Sequence, residues 1–119
     1  MRPELKSDAY VFCTVGDDYV FDNKIVRCFF KEEEGITLIL SKQDADHLNL
    51  KYTYVAAWIT LKVHSSLAAI GFTAAFSSAL SNHGISCNVV AAFYHDHIFV
   101  PYLDATKAMR VLQSLSIQE

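Results

Sequence analysis

The chain has 119 residues, a hydrophobic fraction of 52%, 19% charged residues and a net charge of −3. That is the length of one ordinary domain, or of two very small ones sharing a core, and it carries enough apolar material to exclude a disordered chain. Its ten Lys and Arg are scattered without a basic run, which excludes nucleic-acid binding through a clustered cationic surface.

Met1–Asp8 is polar and lacks the apolar core of a signal peptide. No apolar run reaches the ~18 residues that a membrane span requires, so no membrane partner is expected. The next stretch, Ala9–Val15, is apolar and β-branched and predicts a strand buried on both faces. Gly16-Asp17-Asp18 ends it, and Asp22-Asn23 signals a turn. Ile25–Lys31 predicts a second strand and Ile36–Leu40 a third, joined as a hairpin through the solvated acidic run Glu32-Glu33-Glu34 and Gly35. Ser41-Lys42-Gln43-Asp44 resembles a capping box and opens a short helix, Gln43–Leu48, that ends near Asn49.

Lys51–Val63 predicts a fourth strand. Its second part alternates, with Ile59, Leu61 and Val63 on one face and Trp58, Thr60 and Lys62 on the other. After His64, either Ser65 or Ser66 can cap the main helix, predicted from about Leu67 to His83. Its first turn contains Gly71, and Gly84 stands where a left-handed C-terminal cap belongs. Ile85–Phe93 predicts a strand, Tyr94-His95-Asp96 a turn and His97–Pro101 the returning strand. In the last helix, after Asp104, Ala105, Ala108, Leu112 and Leu115 form an apolar stripe, while Lys107, Arg110 and Gln113 face water.

The expected class is α+β: ferredoxin-like tandem βαββ-type units, an antiparallel sheet and helices on one face. Residues 1–57 would form a degenerate first half and residues 58–119 the second, packed as one compact unit. The three cysteines, Cys13, Cys28 and Cys87, sit in apolar strand-like segments without a CxxC pair. Their odd number excludes a full disulfide framework and fits a reduced, cytoplasmic setting with buried thiols.

The segment VHSSLAAIGFTAAFSSALSNHGISCNVVAAFYHDHIFVP, from Val63 to Pro101, resembles the ACT domain, a regulatory module that binds small molecules, often amino acids. The matching features are Val63, Gly71, Gly84-Ile85 and Asp96. RPELKSDAYVFCTV and EEGITLIL also resemble small tandem ACT-like proteins of unassigned activity, so the resemblance spans nearly the whole chain. It implies a non-catalytic sensor, dimeric in many relatives, with its ligand at the strand–helix loop. On this sequence the positions implied are Ser65, Ser66, Gly71, Phe72, Thr73, Asn88 and Asp96. The Asp-x-Pro-Gly loop of many amino-acid-binding members is replaced by His64-Ser65-Ser66-Leu67. That motivates an alternative, a structural or protein-interaction module that has lost its ligand.

The chemistry expected of such a site is elementary. Free N–H groups at a helix start attract a carboxylate. Gly71 admits a ligand close to the backbone, Asp96 can pair with an ammonium or guanidinium group, and Asn88 offers both a donor and an acceptor. Local turn and strand-end hydrogen bonding also accounts for Asn88 and Asp96. His95 and His97 form a His-x-His pair, but zinc needs three or four converging ligands and no Cys or Glu cluster accompanies them. They are expected to satisfy backbone groups or to line an interface. A hydrolase would need His64, Ser65 or Ser66, and Asp96 to converge, and no G-x-S-x-G elbow is present. Neither an enzyme nor a cofactor is therefore expected; the expected partners are a small molecule and a second copy of the chain.

Overall fold

The computed structural model describes residues 2–62 and 71–116. Contacts divide the chain into two units, Asp8–Ala56 and Met1–Ser7 together with Ala57–Glu119. They are called the N-terminal and C-terminal units below. Strand β1, Arg2–Val15, contributes its first residues to the C-terminal unit and the rest to the N-terminal unit.

In the N-terminal unit the strand order is β2-β3-β1, with β2 at Cys28–Lys31 and β3 at Ile36–Ser41. Both pairings are antiparallel: Tyr10 faces Ser41 and Val15 faces Ile36, while Cys28 faces Ile39 and Lys31 faces Ile36. Side chains alternate along a strand, so Val11, Cys13, Leu38 and Leu40 share one face. Ala45 of helix α1, Lys42–His47, covers that face, and Val26 fills it from the preceding loop. The Ser41 cap forms as its sequence predicts: its Oγ accepts the Asp44 N–H at 3.1 Å. The helix ends on Asn49 at φ 58, with the Leu50 N–H donating to the Ala45 carbonyl at 2.9 Å. This is a Schellman closure that also lays Leu50 against the core.

Strand β2 is shorter than the predicted Ile25–Lys31. The Ile25 and Val26 N–H groups both donate to the Asp22 carbonyl at 3.0 Å, and the Lys24 N–H donates to Asp22 Oδ1 at 2.8 Å. That turn consumes the backbone donors the strand would need. The acidic run is exposed, and the Glu32 N–H donates to the Gly35 carbonyl at 2.9 Å to close the hairpin.

In the C-terminal unit the order is β1-β4-β6-β5, with β4 at Val55–Lys62, β5 at Asn88–Ala91 and β6 at Asp96–Pro101. Strand β5 is shorter than predicted, and β6 begins one residue earlier, at Asp96. The turn closes between the Ala92 N–H and the His95 carbonyl at 3.1 Å, placing Asp96 in the ladder opposite Ala91. Helix α2, Phe72–Asn82, and helix α3, Ala105–Ser116, cover one face. The core between them joins Ala57, Ile59, Leu61, Ile98 and Val100 to Phe76 and Leu80 of α2 and to Ala108, Val111 and Leu112 of α3. Gly84 adopts φ 73 as predicted, with the Ile85 N–H donating to the Leu80 carbonyl at 3.0 Å.

The first strand starts at Arg2, well before the predicted Ala9. Its polar residues are held by side-chain contacts within the C-terminal unit. Glu4 Oε2 lies 2.9 Å from Lys62 Nζ, and Lys6 Nζ sits 5.0 Å from the centre of the Trp58 ring. The architecture is α+β, with the β1–β3, β2–β3 and β5–β6 pairs all antiparallel and helices on one face in each unit.

Candidate ligand-binding site

Ser65 and Ser66, with His64, lie outside the described residues. The described part of the strand–helix site begins at Gly71. It is not inside the first helical turn but at the N-cap of α2, with φ 90 and ψ −15. That left-handed backbone is where glycine is tolerated and other residues are strained. Among the described residues, a Cβ built at Gly71 meets nothing within 4 Å. The first intrahelical bond runs from the Ala75 N–H to the Gly71 carbonyl at 3.0 Å, and among the described residues no side chain caps the end. The N–H groups of Phe72, Thr73 and Ala74 are first-turn donors, which an α-helix leaves without an intrahelical acceptor. Thr73 is exposed, whereas Phe72 is half-buried and packs on the core with its ring 5.1 Å from that of Phe76.

Asp96 and Asn88 occupy different places. Asp96 pairs with Ala91, so it shares the face of Ile98 and the helices. It neighbours the end of β4, from which the chain leaves toward α2. Asn88 pairs with Phe99 and points to the opposite face, about 10 Å further along the ladder at the ordinary strand rise. Asn88 is exposed and Asp96 half-buried. The structure thus places Asp96 on the same side of the sheet as Phe72 and sets Asn88 apart.

The helix-free face carries a cluster that sequence reasoning missed. His97 Nδ1 lies 3.1 Å from Trp58 Nε1 and 3.0 Å from Thr60 Oγ1. The indole can only donate, so Nδ1 is the acceptor and the ring proton sits on Nε2. His97 therefore bonds to side chains 37 and 39 positions away rather than to backbone. Trp58 also packs against Phe99 at 5.0 Å. The signal for this arrangement was the strand alternation that puts Trp58 and Thr60 on one face, but their partner needed the β4–β6 pairing. The Nδ1 atom of His95 is buried with no hydrogen-bond partner among the described residues. His83 Nδ1 lies 2.9 Å from the Ala79 carbonyl at the end of α2. Among the described residues, no three His, Cys, Asp or Glu side chains converge on a metal geometry.

Burial, with His95 and Lys6 adding to it, holds His97 below the ordinary histidine value, against the opposing pull of Asp96. An unfolded chain then binds a proton that the folded one refuses. The neutral imidazole contributes its full stability above the unfolded value of about 6.5, and that contribution is lost as pH falls toward the folded value. Glu4 and Asp46, both lowered, titrate below this window. Urea unfolding is expected to show lower stability at pH 5.5 than at pH 7.5, with the difference shrinking in His97→Phe. An identical pH loss in the variant would assign it elsewhere. Trp58, the single tryptophan, provides the fluorescence readout.

The thiols are not chemically activated. Burial raises all three, and Cys87 is pushed up to about 11. Cys13 is buried, while Cys28 and Cys87 are half-buried. Among the described residues, no helix is long and apolar enough to cross a membrane.

Two family profiles described as ACT domain match the chain, one over residues 1–57 and the other over residues 54–114. No curated protein matches. A solved structure from Vibrio cholerae, described as a protein of unknown function and possible transport protein, is 46% identical, with a TM-score of 0.84 over 92% of this chain and 85% of that one. An Agrobacterium tumefaciens protein is 18% identical, with a TM-score of 0.70 over 95% of this chain and 87% of that one. The regulatory subunit of aspartate kinase from Thermus thermophilus, in its ligand-free form, is 10% identical, with a TM-score of 0.65 over 96% of each chain. At those two lower identities the likeness is one of fold.

Proposed function

The chain belongs to the ACT domain family, and from that premise we propose that it is a non-catalytic regulatory or sensory protein binding a small metabolite of the amino-acid class where the chain enters α2. The observation that carries this reading is the uncapped start of α2. There, among the described residues, nothing approaches the left-handed Gly71 beside the first-turn N–H groups of the helix. These would receive a carboxylate, and Asp96 would receive the ammonium group. Ser65, Ser66, Phe72 and Thr73 would complete the wall. Asn88, on the other face, serves as the control position.

Thermal-shift and calorimetric titration against the amino acids test the site. Gly71→Val is expected to abolish binding and to lower stability by about 1–2 kcal/mol through backbone strain. Asp96→Asn is expected to weaken binding about tenfold while leaving the fold intact, as loss of one charge-assisted contact predicts. Asn88→Ala should leave affinity unchanged. Binding that survives both Gly71→Val and Asp96→Asn would remove the site from this end of α2.

A homodimer in the reduced cytoplasm is the setting we propose, since β2 and β5 each end a strand order with an unpaired edge. Light scattering giving a monomer at high concentration would refute the dimer. A second reading, an interaction module without ligand, is favoured by Phe93 and Tyr94. They are 79% and 77% exposed at the β5–β6 turn, with rings 5.0 Å apart. It predicts no thermal shift with any amino acid, and loss of a protein partner in Phe93→Ser.

A further inference from the structure

The N-terminal unit holds an open cleft of about 740 Å³, which lies in the size range of small-molecule pockets. Phe12, Cys13 and Leu50 supply its apolar lining. Thr14, Thr37, Lys51, Tyr52 and Thr53 are its polar lining residues. Cys13 is buried on the opposite face of β1 from Phe12 and Thr14, whereas Thr14, Lys51 and Thr53 are exposed.

Part of the polar lining is already held in place. The Tyr52 hydroxyl donates to Asp46 Oδ1 at 2.5 Å, and Lys42 Nζ donates to Asp46 Oδ2 at 3.0 Å. These two hydrogen bonds keep Asp46 below the usual carboxylate range. Thr37 Oγ1 donates to Glu32 Oε1 at 2.6 Å. The protons of Tyr52 and Thr37 are thus committed to carboxylates, which leaves Thr14, Thr53 and Lys51 as the lining side chains whose donors those bonds do not use. One lining residue is cationic and none is acidic. The site offers a counter-charge to an anion, and the nearest carboxylates are already engaged, Asp46 by Tyr52 and Lys42 and Glu32 by Thr37. Glu32 sits at the Thr37 end, so Coulomb repulsion directs the anion to the Lys51 end.

We propose that this cleft is a second ligand site, taking a small monocarboxylate with an apolar body and no amino group, such as a branched 2-oxo acid or short branched fatty acid. The apolar body covers Phe12 and Leu50, and the carboxylate meets Lys51 with the threonine hydroxyls beside it. The site does not rest on the α2 reading: it selects against the ammonium group that Asp96 would receive, and all its residues belong to the other unit.

The test uses the full chain and three molecules sharing one branched body: 4-methyl-2-oxopentanoate, 4-methylpentanoate and leucine. Binding is read by calorimetry and by the methyl resonances of Leu50 and Thr53 in methyl-labelled protein. The two acids are expected to shift those resonances, with leucine weaker there by about tenfold or more. Lys51→Ala is expected to weaken both acids by about tenfold, and Lys51→Arg to retain them, as one lost charge-assisted contact predicts. Lys51 is exposed, so neither variant disturbs folding. Leucine matching the acids at these resonances, acids indifferent to Lys51→Ala, or no shift at millimolar concentration would each overturn the proposal. Leucine bound at α2 registers on Phe72 and Thr73 instead and is lost in Gly71→Val, so failure of one site is read separately from failure of the other.

Discussion

Phe76→Ala is expected to cost about 3–5 kcal/mol, the range for removing a fully buried aromatic side chain and leaving a cavity. Phe76 is 1% exposed, touches Phe72 edge-on at 5.1 Å and sits in the core between α2 and the β4–β6 face. Natural domains hold only about 5–15 kcal/mol in total, so this loss is about a fifth or more of what keeps the chain folded. It falls on the helix whose first turn forms the candidate site. Ligand affinity should drop with it, whereas Lys51-dependent binding in the N-terminal unit should persist wherever the variant still folds. Urea denaturation followed by fluorescence measures the stability. A loss under about 1 kcal/mol would mean that α2 is not anchored through Phe76.

Gly35→Ala is expected to be nearly as severe, for a different reason. A Cβ at Gly35 would stand 2.7 Å from the Val15 carbonyl oxygen and 3.2 Å from Thr14 Oγ1, on a backbone with φ 155. The carbonyl belongs to a strand held in register with β3, where Val15 faces Ile36, so it cannot move without breaking that pair. Overpacking of about 1–3 kcal/mol and backbone strain of similar size add to about 2–6 kcal/mol. Gly84→Ala is the comparison. It shares a positive φ, 73, but its Cβ meets nothing within 4 Å among the described residues. It should cost only the backbone term, about 1–2 kcal/mol. Equal losses at the two glycines would show that the clash at Val15 relaxes.

Features governed by near neighbours are legible in the sequence. Ser41 caps α1 through Asp44 three residues on, and Gly84 closes α2 through contacts reaching back only to Leu80. The acidic turn at Glu32-Glu33-Glu34 stays in water, and the Ala108–Leu112 stripe of α3 faces the core with Lys107, Arg110 and Gln113 outward. Boundaries are less legible wherever a side chain competes with the ladder. Asp22 takes the donors that would have started β2 at Ile25.

The candidate site is legible in part. The importance of Gly71 follows from an unfavourable residue at a helix start, but its left-handed conformation does not. Alternation alone puts Asn88 opposite Val89. Whether Asp96 shares its face depends on the hairpin register, and one residue of slip exchanges the faces. The turn closes between Ala92 and His95, and that register separates them.

The sequence by itself determined element order, the Ser41 and Gly84 caps and the core stripes, because such caps and periodicity are set by residues within a few positions of each other, whereas α2 starts at Gly71 and not after the expected Ser65 or Ser66. The tertiary structure alone decided the strand from Arg2 to Asp8, the His97 contacts with Trp58 and Thr60, the separation of Asn88 from Asp96 and the cleft beside Lys51. Each of these depends on strand pairing or chain return between distant segments. Their cost is loop closure and their reward is burial and hydrogen bonding, neither of which a local pattern records.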